Sequence, residues 1–177
     1  LVGGAGDDIF SGDSGNDVVQ GGLGNDSMAG GAGTDTLSYV GATVTGTTYA
    51  LVNPLTAAGT TFDSVTGVIF SRQTGSVTGA DGNDTIALKV DASGNPIAQS
   101  SFENVVGTSG SDWFMPDGSY NVIDGGAGND WLDLRALAAN FSVNLQTGFE
   151  GVSGNSIGDT IINIENVIGG TGDDTII

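Results

Sequence analysis

Residues 3–38 read GGAGDDIFS, GDSGNDVVQ, GGLGNDSMA and GGAGTDTLS, four nonapeptides head to tail. Each has Gly at its first and fourth positions, Asp at its sixth and an apolar residue at its eighth. The acidic series is Asp8, Asp17, Asp26 and Asp35, and the apolar series is Phe10, Val19, Met28 and Leu37. A fixed short period marks a solenoid, in which each unit is stable only against its neighbours. The last three residues of a unit are too few for an ordinary strand. They suffice for one rung of a stacked parallel sheet whose eighth position points into the core. The first six then form the turn.

A six-residue turn that closes on itself needs positive φ at some positions. Gly supplies it without a Cβ penalty, and Asn or Asp tolerates it next best. The fifth position holds Asp7, Asn16 and Asn25, which fits, and Thr34, which does not. Gly-rich turns also aim backbone carbonyls inward, and the sixth position adds a carboxylate. Carbonyls plus carboxylates are the oxygen set that calcium prefers.

The pattern GGxGxDxUx, with U apolar, resembles the calcium-binding nonapeptide of the RTX family. The resemblance implies an all-β fold, a right-handed parallel β-roll in which two nonapeptides make one coil and calcium sits between turns two repeats apart. Carried onto this chain, Asp8 shares an ion with Asp26, and Asp17 with Asp35. Phe10 stacks on Met28, and Val19 on Leu37. The implied ligand set takes the turn glycines with the carboxylates: Gly3, Gly4 and Gly6; Gly12 and Gly15; Gly21, Gly22 and Gly24; Gly30, Gly31 and Gly33.

Composition agrees. The chain of 177 residues carries a net charge of −18, from 21 acidic against 3 basic residues, with 32 Gly and neither Cys nor His. Such charge usually argues for disorder, but 38% hydrophobic content and regular spacing argue against it. A fold whose self-repulsion is relieved by bound cations fits better. There is no basic patch for nucleic acid, no apolar run near the ~20 residues of a membrane span, and no signal-peptide pattern at the start. Without Cys there are no disulfides, so calcium is the expected staple. A low-complexity linker is excluded by counting. Chance gives roughly 0.6 copies of G-x-x-G-x-D at this composition, whereas the sequence has eight, starting at Gly3, Gly12, Gly21, Gly30, Gly79, Gly107, Gly125 and Gly169.

Along the chain, Leu1 and Val2 read as the end of a preceding repeat, and GGTGDDTII closes a nonapeptide at Ile177, so both ends read as cuts through a longer protein. An RTX block spans 1–38. The period breaks over 39–78, where 43–52 and 65–70 read as strands. This insertion either extends the roll with irregular rungs or packs over it as a small sheet. Its aromatics Tyr39, Tyr49, Phe62 and Phe70 read as core in preference to a carbohydrate platform. An interrupted RTX block spans 79–133. It opens with GADGNDTIA, a lone repeat whose Asp84 has half a cage. Register returns at residue 98 with AQSSFENVV, GTSGSDWFM, PDGSYNVID and GGAGNDWLD. The third unit has Asn121 at the acidic position. Asp112 and Asp130 stand 18 apart and are expected to share an ion, with Gly107, Gly110, Gly125, Gly126 and Gly128. The apolar column is Val105, Phe114, Ile123 and Leu132. Trp113 and Trp131, at the seventh position, are expected to stack facing outward as a stiffening ladder, or to contact a ligand.

A second irregular insertion spans 134–159. Residues 134–140 have short helical character, Phe141, Val143 and Leu145 alternate as a strand, and 151–156 read as a turn. A further RTX block starts within 160–177. There INIENVIGGTGDDTI echoes SSFENVVGTSGSDWF, with Glu165 placed 62 residues after Glu103. Asp174 needs a partner; Ser156 is a weak one, and the true one is expected beyond Ile177.

Without His or Cys, Ser-His-Asp and Cys-His arrangements are excluded, and zinc is disfavoured. The carboxylate pairs are spaced for calcium, and a calcium-bound carboxylate is a poor general acid, so the chain reads as no enzyme. The expected function is a calcium-binding module that folds after export by type I secretion, a scaffold of an extracellular or cell-surface bacterial protein such as an adhesin or surface-layer protein. Its partners are calcium ions, neighbouring repeats and cell-surface molecules. The alternative is the C-terminal secretion and folding module of a secreted RTX enzyme, a protease, lipase or polysaccharide-modifying enzyme, whose catalytic domain lies outside this chain.

Overall fold

The computed structural model describes residues 1–41, 48–50, 74–79, 82–90, 96–100, 102–116, 121–135, 140–152 and 158–177. These residues form strands and turns and no helix. In the first block the strands are β1 (Ile9–Ser11), β2 (Val18–Val19), β3 (Ser27–Ala29) and β4 (Thr36–Ser38). All of them fall at positions seven to nine of a nonapeptide. β1 pairs in parallel with β3, with Phe10 opposite Met28. β2 pairs in parallel with β4, with Val19 opposite Leu37. Strand partners are thus two repeats apart, and each six-residue turn carries the chain from one sheet to the other. The two stacks implied by the resemblance are present.

The insertion supplies β5 (Thr48–Ala50) and most of β6 (Thr74–Gly79), and the opening of the interrupted block supplies β7 (Gly82–Val90) and β8 (Pro96–Ser100). β7 extends the parallel sheet of β1 and β3, with Met28 opposite Ile86. β6 adds antiparallel to β7, β5 to β6, and β8 to β7. The described part of the insertion therefore prolongs a sheet with irregular rungs. The strand expected at 65–70 lies outside the described residues. The described residues of GADGNDTIA, 79 and 82–87, belong to strands. Gly79 and Gly82 end a hairpin, and Asp84 lies inside β7 opposite Val77. The competing partner explains the difference, because β6 takes up the backbone groups of residues 82–84 that a turn would have left inward-facing.

The rest of the chain gives β9 (Asn104–Val106), β10 (Trp113–Phe114), β11 (Val122–Asp124), β12 (Trp131–Asp133), β13 (Phe141–Asn144), β14 (Phe149–Val152), β15 (Thr160–Ile162), β16 (Asn166–Ile168) and β17 (Thr175–Ile176). β9 pairs in parallel with β4 across the whole insertion, with Leu37 opposite Val105. The same sheet continues through Ile123 of β11 to Ile161 of β15. A second parallel stack runs Phe114, Leu132, Val167 through β10, β12 and β16. β13 and β14 form an antiparallel hairpin against β15, and β17 adds in parallel to β13. Gly151 and Val152 are part of β14, where a turn had been expected. Residues 136–139 and 153–157 lie outside the described residues, and with them most of the helical expectation.

One core runs through these layers. Val19, Leu37, Phe114, Ile123, Leu132, Leu134 and Val143 have no solvent exposure, and Phe102, Val105, Phe141, Ile161 and Ile164 join them. Burial of a side chain of this size contributes roughly 1.5–3 kcal/mol, so the eighth-position column holds the layers together. Phe141 and Val143 are buried while Ser142 and Asn144 are less so, the alternation of a half-buried strand. Tyr39 is buried in the core, as expected of it. Trp113 and Trp131 stack with centroids 5.3 Å apart and planes at 13°. They are half-buried, and Trp113 Nε1 donates to Asp133 Oδ2 at 3.1 Å.

Candidate metal centre

The turns owe their shape to glycine. Positive φ falls at the fourth position, from 114° at Gly6 to 152° at Gly33, and at the second, as at Gly22 and Gly31. Asp13 takes a left-handed φ of 63° at the second position of its repeat. The fifth position does not, contrary to the sequence reading. Its role is a ladder: Asn25 N donates to Asp7 Oδ1 at 2.9 Å, and Thr34 N to Asn16 Oδ1 at 3.0 Å. Asp173 N donates likewise to Asn140 Oδ1 at 3.1 Å. This explains the tolerance of Thr34, whose backbone N–H serves the ladder whatever its side chain.

The sixth position builds a second ladder from carboxylates. Asp8 N donates to Asp26 Oδ1 at 2.9 Å, Asp17 N to Asp35 Oδ1 at 2.8 Å, and Asp112 N to Asp130 Oδ1 at 2.7 Å. One carboxylate oxygen of each upper residue is thereby fixed by the layer below. The other oxygen faces the first glycine of its own turn. A Cβ on Gly12 would stand 2.7 Å from Asp17 Oδ2, and one on Gly125 2.6 Å from Asp130 Oδ2. A Cβ there would also overlap a carbonyl of the next layer, Gly30 O above Gly12 and Gly21 O above Gly3. The missing side chain leaves a place where carboxylate and carbonyl oxygens converge.

Those oxygens are short of donors. Asp17 Oδ2, Asp35 Oδ2 and Asp130 Oδ2 are buried and accept no hydrogen bond. An unsatisfied buried carboxylate oxygen is costly unless a cation meets it. Burial chiefly, with Asp130 nearby, pushes the Asp112 carboxyl up to about 7 even though Thr108 donates to it. Burial also raises Asp130, and the neighbouring Glu165 and Asp124 carboxylates add to the rise. Asp133 is the contrast: equally buried, it is met by Arg135 Nη2 at 2.7 Å.

The structure brings together three of the predicted pairs, Asp8 with Asp26, Asp17 with Asp35 and Asp112 with Asp130. Asp84 is in register with Asp26 through β3 and β7 but sits in a strand. Asp174 Oδ1 accepts from Phe141 N at 2.9 Å, and Ser156, the weak partner named for it, lies outside the described residues. Sequence reasoning missed three acidic residues of the column. Asp159 accepts from Asn121 N at 2.9 Å, Glu103 from Asp35 N at 2.7 Å, and Glu165 from Asp130 N at 2.8 Å. The 62-residue echo of the E-N-V segments was the signal for the two glutamates, which fall at sixth places of the nonapeptide frame.

Hard carboxylate and carbonyl oxygens, converging where a Cβ is lacking, fit calcium. Among the described residues no three acidic side chains cluster as a cage by themselves. No helix among these residues is long and apolar enough to cross a membrane. No curated protein matches the chain. The RTX calcium-binding nonapeptide repeat matches in four copies, over residues 2–37, 106–136 and 163–177. Over those residues the chain carries RTX calcium-binding nonapeptide repeats.

Proposed function

We propose that the segment is a right-handed β-roll that folds when calcium fills the turns between layers, and that it serves as a scaffold of an extracellular or cell-surface protein. The observation that carries this is the column of stacked carboxylates whose second oxygens, at Asp17, Asp35 and Asp130, are buried without a donor. Asp8, Asp17, Asp26, Asp35, Asp112 and Asp130 would hold the ions, with carbonyls of the glycine turns. Bound calcium supplies the positive charge that the buried carboxylates lack.

The chain's own residues then make the switch. Without calcium, the charge of −18 and the paired carboxylates oppose the collapse that the apolar column favours. Chain entropy adds to the opposition. At extracellular calcium, sites with dissociation constants of about 10⁻⁴–10⁻³ M fill, and each ion at 100 times its constant adds roughly 2.7 kcal/mol. Such linkage keeps the chain extended where calcium is scarce and folds it outside. The long insertions and the 62-residue echo of Glu103 at Glu165 favour a scaffold over a compact secretion module. The carboxylates serve as ligands in this reading and carry no catalysis.

Far-UV circular dichroism during a calcium titration, with magnesium as control, tests it. The expected result is a cooperative coil-to-β transition with calcium that magnesium does not produce. A spectrum already rich in β structure in chelator, and unmoved by calcium, overturns the switch.

A further inference from the structure

The two E-N-V segments do more than lead into a repeat. Around Glu165 the chain crosses from one layer to the next by a shortened turn. Gly125 N donates to Ile162 O at 3.0 Å, as Gly107 N donates to Asp124 O at 2.8 Å in the nonapeptide layer below. Asn163 thus occupies the place of a first glycine, and Glu165, in register with Asp130 through β16 and β12, occupies the place of the sixth-position Asp. Two steps of chain cover what Gly125 to Asp130 covers in five.

The oxygens nevertheless recur. A Cβ on Gly125 would overlap Asn163 O and stand 2.6 Å from Asp130 Oδ2, just as one on Gly107 would meet Gly125 O and Asp112 Oδ2. Asn163 is held for this by a left-handed φ of 52° and by its side-chain amide, which donates to Asp124 Oδ1 at 2.8 Å. Ile164 is buried in the core and anchors the crossing. Asp130 itself is fully buried, and its Oδ2 accepts no hydrogen bond. Glu103 stands likewise above Asp35, whose N–H donates to its Oε2 at 2.7 Å; Asp35 is also fully buried with an Oδ2 lacking a donor, Phe102 takes the place of Ile164, and the counterpart of Asn163 lies outside the described residues. In both, the Glu and Asn amides donate to the carbonyl of the Asp below, at 3.1 and 2.9 Å to Asp35 O and at 3.2 and 3.0 Å to Asp130 O.

We infer that Glu165 and Glu103 each complete a further divalent-cation site, one above the Gly125–Asp130 turn with Asn163 O, the other above the Gly30–Asp35 turn, and that these closing sites join a calcium stack to a segment lacking the nonapeptide turn. The inference rests on the proposed calcium reading of the turns. A second carboxylate is what the site above Asp130 lacks once the GGxGxD turn is absent. The extra methylene of Glu spans what the shortened crossing leaves open. Asp130, fully buried with an Oδ2 that accepts no hydrogen bond, is costly uncompensated, and a cation held between it and Glu165 removes that cost.

Counting calcium ions per chain by native mass spectrometry, with isothermal titration for affinity, tests this in the full chain. Glu165→Gln and Glu103→Gln keep an amide oxygen to accept from Asp130 N and Asp35 N, so a purely structural hydrogen bond survives while the ligand charge is lost. Circular dichroism in saturating calcium confirms that each variant is folded. One ion fewer in each variant, and two fewer in the double variant, is expected. The unaltered count in both folded variants overturns the inference. No calcium uptake by the unsubstituted chain overturns the calcium reading of the turns, a separate outcome. Terbium luminescence excited through tryptophan gives a second readout. Trp131 adjoins Asp130, so E165Q is expected to dim it more than E103Q; equal dimming, or none, counts against the site above Asp130.

Discussion

The first block, residues 1–38, and the block from 102 onward build the same two ladders by different means. In the first, four unbroken nonapeptides supply every layer, and the sixth-position column is Asp throughout. In the second, the nonapeptides at 107–115 and 125–133 alternate with layers that lack the glycine turn, and Glu103, Asn121, Asp159 and Glu165 take the sixth place. The apolar column ignores the difference. Leu37 pairs with Val105 as Val19 pairs with Leu37, although the first pair stands 68 positions apart in the chain and the second only 18. The core therefore requires only an apolar residue two places after a carboxylate-bearing or amide-bearing crossing. The glycine turn is what lets carboxylate and carbonyl oxygens converge, since a Cβ on Gly12 or Gly125 would overlap a carbonyl of the next layer.

The largest effect that would break this comparison comes from the fourth-position glycines. Gly33 has φ of 152°, and a Cβ there would overlap Gly15 O; Gly128 has φ of 149°, and a Cβ there would overlap Gly110 O. Backbone on both sides leaves nothing flexible to yield. Gly33→Ala and Gly128→Ala are each expected to cost about 3 kcal/mol or more of stability in calcium, the range of severe single substitutions. Gly15→Ala, at φ of 119° with no heavy atom within 4 Å of the added Cβ, is expected to cost only about 1–2 kcal/mol, the strain of the left-handed region. Urea unfolding in saturating calcium measures all three. A cheap Gly128→Ala beside a costly Gly33→Ala shows that the interrupted block tolerates loosened turns.

Much of this was legible in the sequence because the period exposes it. Phe10 on Met28, Val19 on Leu37 and the stacking of Trp113 on Trp131 follow from an 18-residue register, and the structure has all three. What was illegible is where a different partner competes. GADGNDTIA has the spacing of a turn, yet β6 pairs with it and draws it into a strand. The fifth-position Asn and Asp looked like conformational choices, whereas they are acceptors for the layer above. Glu103 and Glu165 were visible as an echo, but their role depends on a crossing shortened by three residues, which no spacing rule anticipates. Asp174 lies over Phe141 because the hairpin of β13 and β14 intervenes, a long-range pairing without a local signal.

A proton competes with calcium in the second block, and this sharpens the comparison on a smaller scale. Burial raises the Asp112 carboxyl to about 7 in the metal-free fold. A carboxyl raised in the folded state stabilises that state below its unfolded value near 4, and loses this contribution as pH rises through about 7. Calcium must displace the proton, so its affinity for the Asp112–Asp130 site moves the opposite way, rising about tenfold from pH 6 to pH 8 for one displaced proton. Isothermal titration at the two pH values checks this, and Asp112→Asn is expected to abolish that site's share of the dependence. A pH-independent affinity in the unsubstituted chain would show that the proton is already absent before calcium binds.

The smallest effect concerns the seventh position, where the blocks differ most plainly in side chain. The first block puts Val18 against Thr36 there, and the second puts Trp113 against Trp131 in a stacked pair. Offset stacking is worth about 0.5–1.5 kcal/mol beyond area, so a double-mutant cycle of Trp113→Ala and Trp131→Ala is expected to return a coupling of that size. Trp113 is also tied to Asp133, which Arg135 neutralises, so Trp113→Ala removes one donor from a carboxylate that keeps its countercharge. That loss appears in the single variant and cancels from the cycle. A coupling near zero would mean that the two rings are held in register by β10 and β12 alone, leaving the tryptophan faces free for a partner in the way that the sequence also allowed.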